Sequence, residues 1–209
     1  MTQIILFDVD GVLIHGYHAR EELRQCWDEN LENDLGISRQ KFKDGFIFKD
    51  FINHILTGQM NLHDALANFL PTIGYHGDPQ IVIHYWLKKD SKINHDLIEK
   101  IKIIKQSPDV ELYIATNQER NRAKYLMDVL GFAKHFKDIF HSAKIGHIKP
   151  AQKYFSRVHD MLGNPKTPPI FFDDTLDVIQ GAKNFGWQAY EFQTVDDLYQ
   201  NDFAASLLK

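Results

Sequence analysis

The chain has 209 residues, a formal net charge of −4 and 44% hydrophobic residues. That length supports one domain with an insertion, or two small domains, around a sizeable core, and the lack of a basic excess argues against extensive nucleic-acid binding. The single cysteine, Cys26, excludes an internal disulfide framework and suits a reducing compartment, and its expected role is that of a small buried hydrophobe. No apolar run is long enough to cross a bilayer and no secretory leader is evident. A cytoplasmic protein without membrane association is expected, as a monomer or homodimer.

Residues 3–9 predict a short buried strand, with Ile4, Ile5, Leu6 and Phe7 in unbroken apolar sequence. From about 17 to 90 the apolar residues recur at helical spacing. Leu23, Cys26, Trp27 and Leu31 predict one stripe, and Phe48, Phe51, Ile52, Ile55 and Leu56 another. Leu62, Ala65, Leu66, Phe69 and Leu70 follow Asn61, a good N-cap. Asp78 and Pro79 suit the cap and first position of a helix carrying Ile83, Trp86 and Leu87. Past residue 95, helix and strand alternate. Strands are predicted at 110–115, 169–172 and 187–192, and three helices end at Gly131, Gly163 and Gly186. Alternation of this kind implies right-handed crossovers and a parallel sheet. The expected fold is therefore α/β: a Rossmann-like doubly wound parallel sheet formed by 1–15 and 95–209, with 16–94 as an inserted helical cap domain above the carboxyl ends of the strands, where such sheets bind ligands.

The polar residues collect at those same ends. The first strand runs into Asp8 and Asp10, the second into Thr116 and Asn117, and the third into Asp173 and Asp174, while Lys149 stands in the loop before a helix. Each alone is an ordinary turn or cap residue; their common placement is not ordinary. Strand alternation is expected to point Asp8 and Asp10 to the same side. Acids so packed repel each other unless a cation intervenes, and hard oxygen donors suit Mg²⁺ rather than zinc. Thr116, the N–H groups at the following helix start and Lys149 suit an anion opposite the metal. Metal, anion and free carboxylate together describe phosphoryl transfer.

The segments DVDGV at 8–12, Thr116-Asn117, Lys149-Pro150 and FFDD at 171–174 resemble, in order, the four motifs of the haloacid dehalogenase-like (HAD) hydrolase superfamily. The helical segment after the first motif resembles the family's C1 cap. The resemblance implies an aspartyl-phosphate mechanism with Asp8 as nucleophile and Asp10 as general acid and then base. It implies Mg²⁺ held by Asp8, the main-chain carbonyl of Asp10 and Asp174, with Asp173 supporting. Thr116 and the Asn117 backbone would hold the phosphoryl oxygens, and Lys149 would neutralise charge. Dehalogenases of the family lack an acid at the position of Asp10 and use no metal, so Asp10 points to phosphate chemistry. Where many members carry a further acid, this chain has Val178. Asp177, one residue earlier, suits either a water-mediated metal contact or a favourable charge at a helix start.

The expected reaction is hydrolysis of a small phosphorylated metabolite. A phosphomutase and a non-catalytic phosphate-binding protein are the alternatives on the same fold, and a signalling receiver domain fits the motif order poorly. His15, Gly16, Tyr17 and His18 are expected at the first hinge, within reach of the site. Arg20, Arg24, Arg39 and Lys49 are expected to be solvated charges, and the Phe-rich run 42–51 to be cap core rather than substrate pocket.

Overall fold

The computed structural model describes residues 2–209. Five parallel strands, β1 (Gln3–Phe7), β2 (Val110–Thr116), β3 (Ile139–His141), β4 (Ile170–Asp173) and β5 (Gln188–Glu191), form one sheet in the order β3-β2-β1-β4-β5. The expected α/β fold is thus present. β1 is central and buried on both faces, which explains its unbroken apolar sequence. Ile5 and Phe7 pack into one cluster with the helices His95–Ile104 and Arg120–Asp128. Ile4 and Leu6 pack into the other, with Gln152–Met161 and Leu176–Phe185. Chain order runs one way from β1 through β2 to β3 and returns to β4 on the other side. The reversal opens a crevice at the carboxyl ends beside β1.

β3 was not anticipated. Its three residues sit at the sheet edge, too short for a periodic signal. β1 is also shorter than expected: it ends at Phe7, so Asp8 and Asp10 lie in the loop beyond it. There Gly11 N–H donates to Ile14 (3.0 Å), and Val9 O accepts from Val12 and Ile14 (3.2 and 2.9 Å). Strand alternation therefore does not orient Asp10.

Between β1 and the helix His95–Ile104 the chain is helical, with a hydrophobic cluster of its own around Phe42, Phe46, Leu66 and Trp86. Asn61 caps Leu62–Phe69 by accepting from His63 and Asp64, and Asp78 caps Pro79–Lys89 by accepting from Gln80. Two expectations fail here. Leu23 and Cys26 do not join a helical stripe: a single 3-10 turn spans Glu21–Leu23, and both residues are exposed. Lys43–Ile55 is a π-helix, so its inward residues follow a wider turn than α spacing allows. Phe42, Phe46 and Ile55 are buried, whereas Phe48 and Ile52 are exposed. The two connections to the sheet run side by side: Ile14 bridges Ile93, His15 N–H donates to Lys92 O (2.7 Å), and Asn94 donates to Leu13 O and Val12 O.

Candidate active site

Asp8, Lys149, Asp173 and Asp174 are buried together at the crevice. Asp8 stays attached to the sheet through its N–H, which donates to Phe172 O on β4 at 2.9 Å. Lys149 Nζ lies 2.9 Å from Asp8 Oδ1 and 2.6 Å from Asp173 Oδ2, and donates to Ala115 O at 2.9 Å. Burial works against the lysine charge, but the Asp173 and Asp8 carboxylates outweigh it and push its pKa up. Asp173 is spent on Lys149 and on the Thr175 N–H (2.9 Å). Asp174 accepts from Ala19 N–H (2.6 Å) and Thr175 Oγ1 (3.0 Å). Burial raises the Asp174 pKa, repulsion from Asp8 adds to it, and the Ala19 N–H opposes it.

Gly11 makes this packing possible. Its φ is +76°, and a Cβ there would lie 2.3 Å from Asp174 Oδ2. Both the turn and the approach of Asp174 exclude a side chain.

Asp10 turns away from the other acids. Arg122 grips its carboxylate with Nη2 at 2.7 Å and Nη1 at 3.3 Å, and Gln118 Nε2 donates to it at 2.5 Å. Arg122 is buried and also meets Asp90, with Nη1 2.7 Å from Asp90 Oδ2. Asp90 follows the helix Pro79–Lys89 and holds the Trp86 indole N–H at 3.1 Å. Arg122 therefore ties Asp10 to the second connection of the helical unit. Burial pushes the Asp10 pKa up to about 7, with Arg122 opposing and Asp90 and Asp8 adding to the rise. Arg122 escaped sequence reasoning because a charged residue in a helix reads as a solvated face, and Gln118 and Asp90 because polar residues in connections are ordinary.

Thr116 closes β2, is buried and faces the cavity. The Asn117 amide clamps the Lys149 backbone, accepting its N–H (2.7 Å) and donating to its carbonyl (3.1 Å). The helix after β2 starts only at Arg120. Its cap is Glu119, whose carboxylate takes the Asn121 and Arg122 N–H groups. The expected helix-start anion site is therefore already filled by a protein carboxylate, and loop residues 116–118 face the cavity instead. Asp177 is exposed on the first turn of Leu176–Phe185, where its charge suits the helix end, while Val178 is buried and lines the cavity. Among the described residues Asp177 makes no hydrogen bond to the acid cluster.

His18 sits buried in the first connection. Its Nδ1 accepts the Arg20 N–H at 3.0 Å and lies 3.3 Å from Asp174 Oδ2. The hinge stretch thus reaches the acids through His18 and Ala19.

A cavity of about 380 Å³ opens over these groups. Its floor is Asp8, Asp10, Thr116, Asn117, Gln118, Lys149, Asp173 and Asp174, and its roof comes from the helical unit, including Trp27, Phe46, Phe48, Phe51 and Trp86. The Phe-rich run thus serves both as cap core and as cavity lining, where only core was expected. Arg20, Arg24 and Arg39 are engaged elsewhere, with Glu191, the carbonyls of His18 and Ala19, and Asp28.

The acids suit a divalent cation. One carboxylate oxygen each from Asp8, Asp173 and Asp174 lies within 4.8 Å of the others, and all three residues are buried. Asp8 Oδ1 is buried, and among the described residues the Lys149 ammonium at 2.9 Å is the charge it faces. Three carboxylates face a single lysine charge, and all the donors are hard oxygens, the set that Mg²⁺ takes.

A family model for haloacid dehalogenase-like hydrolases matches residues 2–186. Among solved structures, a HAD family enzyme of Bacteroides thetaiotaomicron, solved as a magnesium complex, is similar at 18% identity. It covers 96% of this chain and 99% of that one with a TM-score of 0.72. A predicted HAD-like family hydrolase from Porphyromonas gingivalis is similar at 21% identity, covering 91% of each chain with a TM-score of 0.66. L-2-haloacid dehalogenase from Xanthobacter autotrophicus is similar at 17% identity, covering 97% of this chain and 83% of that one with a TM-score of 0.63. None of the curated proteins compared matches the chain. With its motifs, sheet order and acid cluster in place, and a family match across most of its length, the chain belongs to the haloacid dehalogenase-like hydrolases.

Proposed function

We propose that the protein is a Mg²⁺-dependent phosphomonoesterase acting on a small phosphorylated metabolite through an aspartyl-phosphate at Asp8. The observation that carries this is the pairing of Asp8 with a second acid, Asp10, that is held apart from the acid cluster by Arg122 and Gln118. A dehalogenase, like the Xanthobacter neighbour, needs no such proton carrier for a halide leaving group.

Asp8, Asp174 and the Asp10 main-chain carbonyl would hold Mg²⁺, which offsets the negative charge gathered at the transferring phosphoryl group when bound. Lys149 adds a fixed positive charge 2.9 Å from the nucleophile. Thr116 and the N–H groups of the loop after β2 bind the phosphoryl oxygens. Asp8 attacks phosphorus, the Asp8–phosphorus bond forms, and the ester bond breaks as Asp10 gives its proton to the leaving oxygen. Asp10 then takes a proton from water, the water oxygen bonds to phosphorus, and Asp8 is released with inorganic phosphate. An acid with a pKa near 7 populates both forms near neutrality, as this exchange of roles requires.

The Bacteroides neighbour has been solved with magnesium and inorganic phosphate, which supports the same ligand pair here. The test is phosphate release from a panel of phosphomonoesters with and without Mg²⁺, beside Asp8→Asn. Turnover that needs both Mg²⁺ and Asp8 is expected. Full activity in Asp8→Asn, or turnover that ignores chelation, contradicts the assignment. An isomerised sugar phosphate in place of free phosphate would mark a phosphomutase.

A further inference from the structure

We infer that the alcohol half of the substrate is apolar, an alkyl or aryl group of about ring size, rather than a sugar, a nucleoside or a second acid. The inference rests on the phosphomonoesterase reading of the floor and concerns what lies above it. The roof presents Trp27, Phe42, Phe46, Phe48, Phe51 and Trp86 to the cavity. The Trp86 indole N–H is already spent on Asp90.

Several polar groups at the rim of the floor are engaged as well, while Tyr17, whose hydroxyl accepts from Arg24 Nη2 at 3.5 Å, stands exposed at the cavity. The Gln118 amide donates to Asp10, the Asn117 amide holds the Lys149 backbone, and the Thr175 hydroxyl donates to Asp174. No Lys, Arg or His of the helical unit lines the cavity among the described residues. A polyhydroxylated leaving group enclosed here would surrender water without regaining partners, and each such hydroxyl counts against binding. A second phosphate or carboxylate would face three buried carboxylates below and aromatic rings above. An apolar group meets neither penalty and gains from leaving water. The volume, about 380 Å³, lies in the range of small-molecule pockets, roughly 300–1,000 Å³, and accommodates a phosphate with one ring or a short chain.

The test is calorimetric binding of methyl-, propyl- and pentylphosphonate and of a polyhydroxylated five-carbon phosphonate to the intact protein in Mg²⁺. The matching phosphate esters are assayed for phosphate release in parallel. Affinity is expected to rise about fourfold per added methylene, the gain of burying one such group, and the polyhydroxylated compound to bind at least ~10-fold more weakly than pentylphosphonate. Phe48→Ser, at an exposed lining position that can change without unfolding the chain, is expected to flatten the dependence on chain length. Equal affinity along the series, or tighter binding of the polyhydroxylated member, overturns the inference. Rising affinity without turnover of any ester leaves the ligand class standing and removes the phosphatase reading. Turnover with no preference for apolar esters does the reverse. Binding of no member together with turnover of no ester overturns both.

Discussion

On the floor of the cavity each carboxylate has an assigned neighbour. Asp8 and Asp173 share Lys149, Asp174 holds Ala19 and Thr175, and Asp10 holds Arg122 and Gln118. On the roof, thirteen apolar side chains, most of them on helices, share one surface with Tyr17, and few polar groups stand among them. The floor is fixed by a rigid parallel sheet and by charge pairing in a low-dielectric setting, so a small displacement there is costly. The lining of the roof is held mainly by apolar packing, which tolerates exchange of one apolar residue for another of similar volume. On the proposed function, chemistry and selectivity are built from different materials, and they should respond differently to mutation.

The largest effect is expected from breaking the floor's central cation. Lys149→Met leaves Asp8 and Asp173 buried without their partner. Loss of one member of a buried pair costs about 3–5 kcal/mol, to be read from denaturant unfolding, and Mg²⁺ should restore part of it. Unchanged stability would mean that the acids are already neutral.

Next is Arg122→Met, which frees Asp10 and Asp90 together. The expected drop in kcat is at least ~10-fold, part of the ~10²–10⁴ that acid–base catalysis contributes. Arg122 lowers the Asp10 pKa from what burial alone would set. Its removal should therefore move the alkaline limb of the pH–rate profile to higher pH, because protonated Asp10 then persists further. A merely structural role for Arg122 would lower kcat and leave that limb in place.

Gly11→Ala tests the junction of loop and acid cluster. Left-handed backbone costs a non-glycine residue about 1–2 kcal/mol, and the new methyl must displace Asp174. A raised Mg²⁺ requirement is expected along with the lost stability. Mg²⁺ dependence identical to wild type would place the metal away from Asp174.

The smallest effect lies outside the cavity. Burial lowers the His141 pKa to about 4, and among the described residues its Nδ1 has no hydrogen-bond partner. The unfolded chain then binds a proton at a pH where the folded chain does not, so this contribution to stability is full above pH ~6.5 and declines as pH falls toward 4. His141→Asn should flatten the stability profile across that window. The same slope in the variant assigns the acid sensitivity elsewhere.

The contrast between floor and roof also explains what could be read from residues alone. That Asp8, Thr116, Lys149, Asp173 and Asp174 come together was legible because four of them close or follow strands that announce themselves as apolar runs and Lys149 precedes a helix on the same side. The capping residues Asn61 and Asp78 were legible for a similar local reason. Arg122 was not, since its burial depends on Asp10 and Asp90, which lie 112 and 32 residues away in the chain. Glu119 preempted the helix start through its own carboxylate. The wide turn of Lys43–Ile55 moved Phe46 inward and Phe48 outward against α spacing, and β3 was too short to show a period. What failed was whatever depends on tertiary partners or on an uncommon helix.

The most direct test of the account is an acid-quenched single turnover with Mg²⁺ and an apolar phosphomonoester, followed by mass analysis of the peptide that contains Asp8. A phosphoryl adduct on Asp8 that appears and decays with phosphate release, and is absent in Asp8→Asn, is the predicted result. Phosphate release at the same rate with no adduct on Asp8, or with the adduct on another residue, would contradict it.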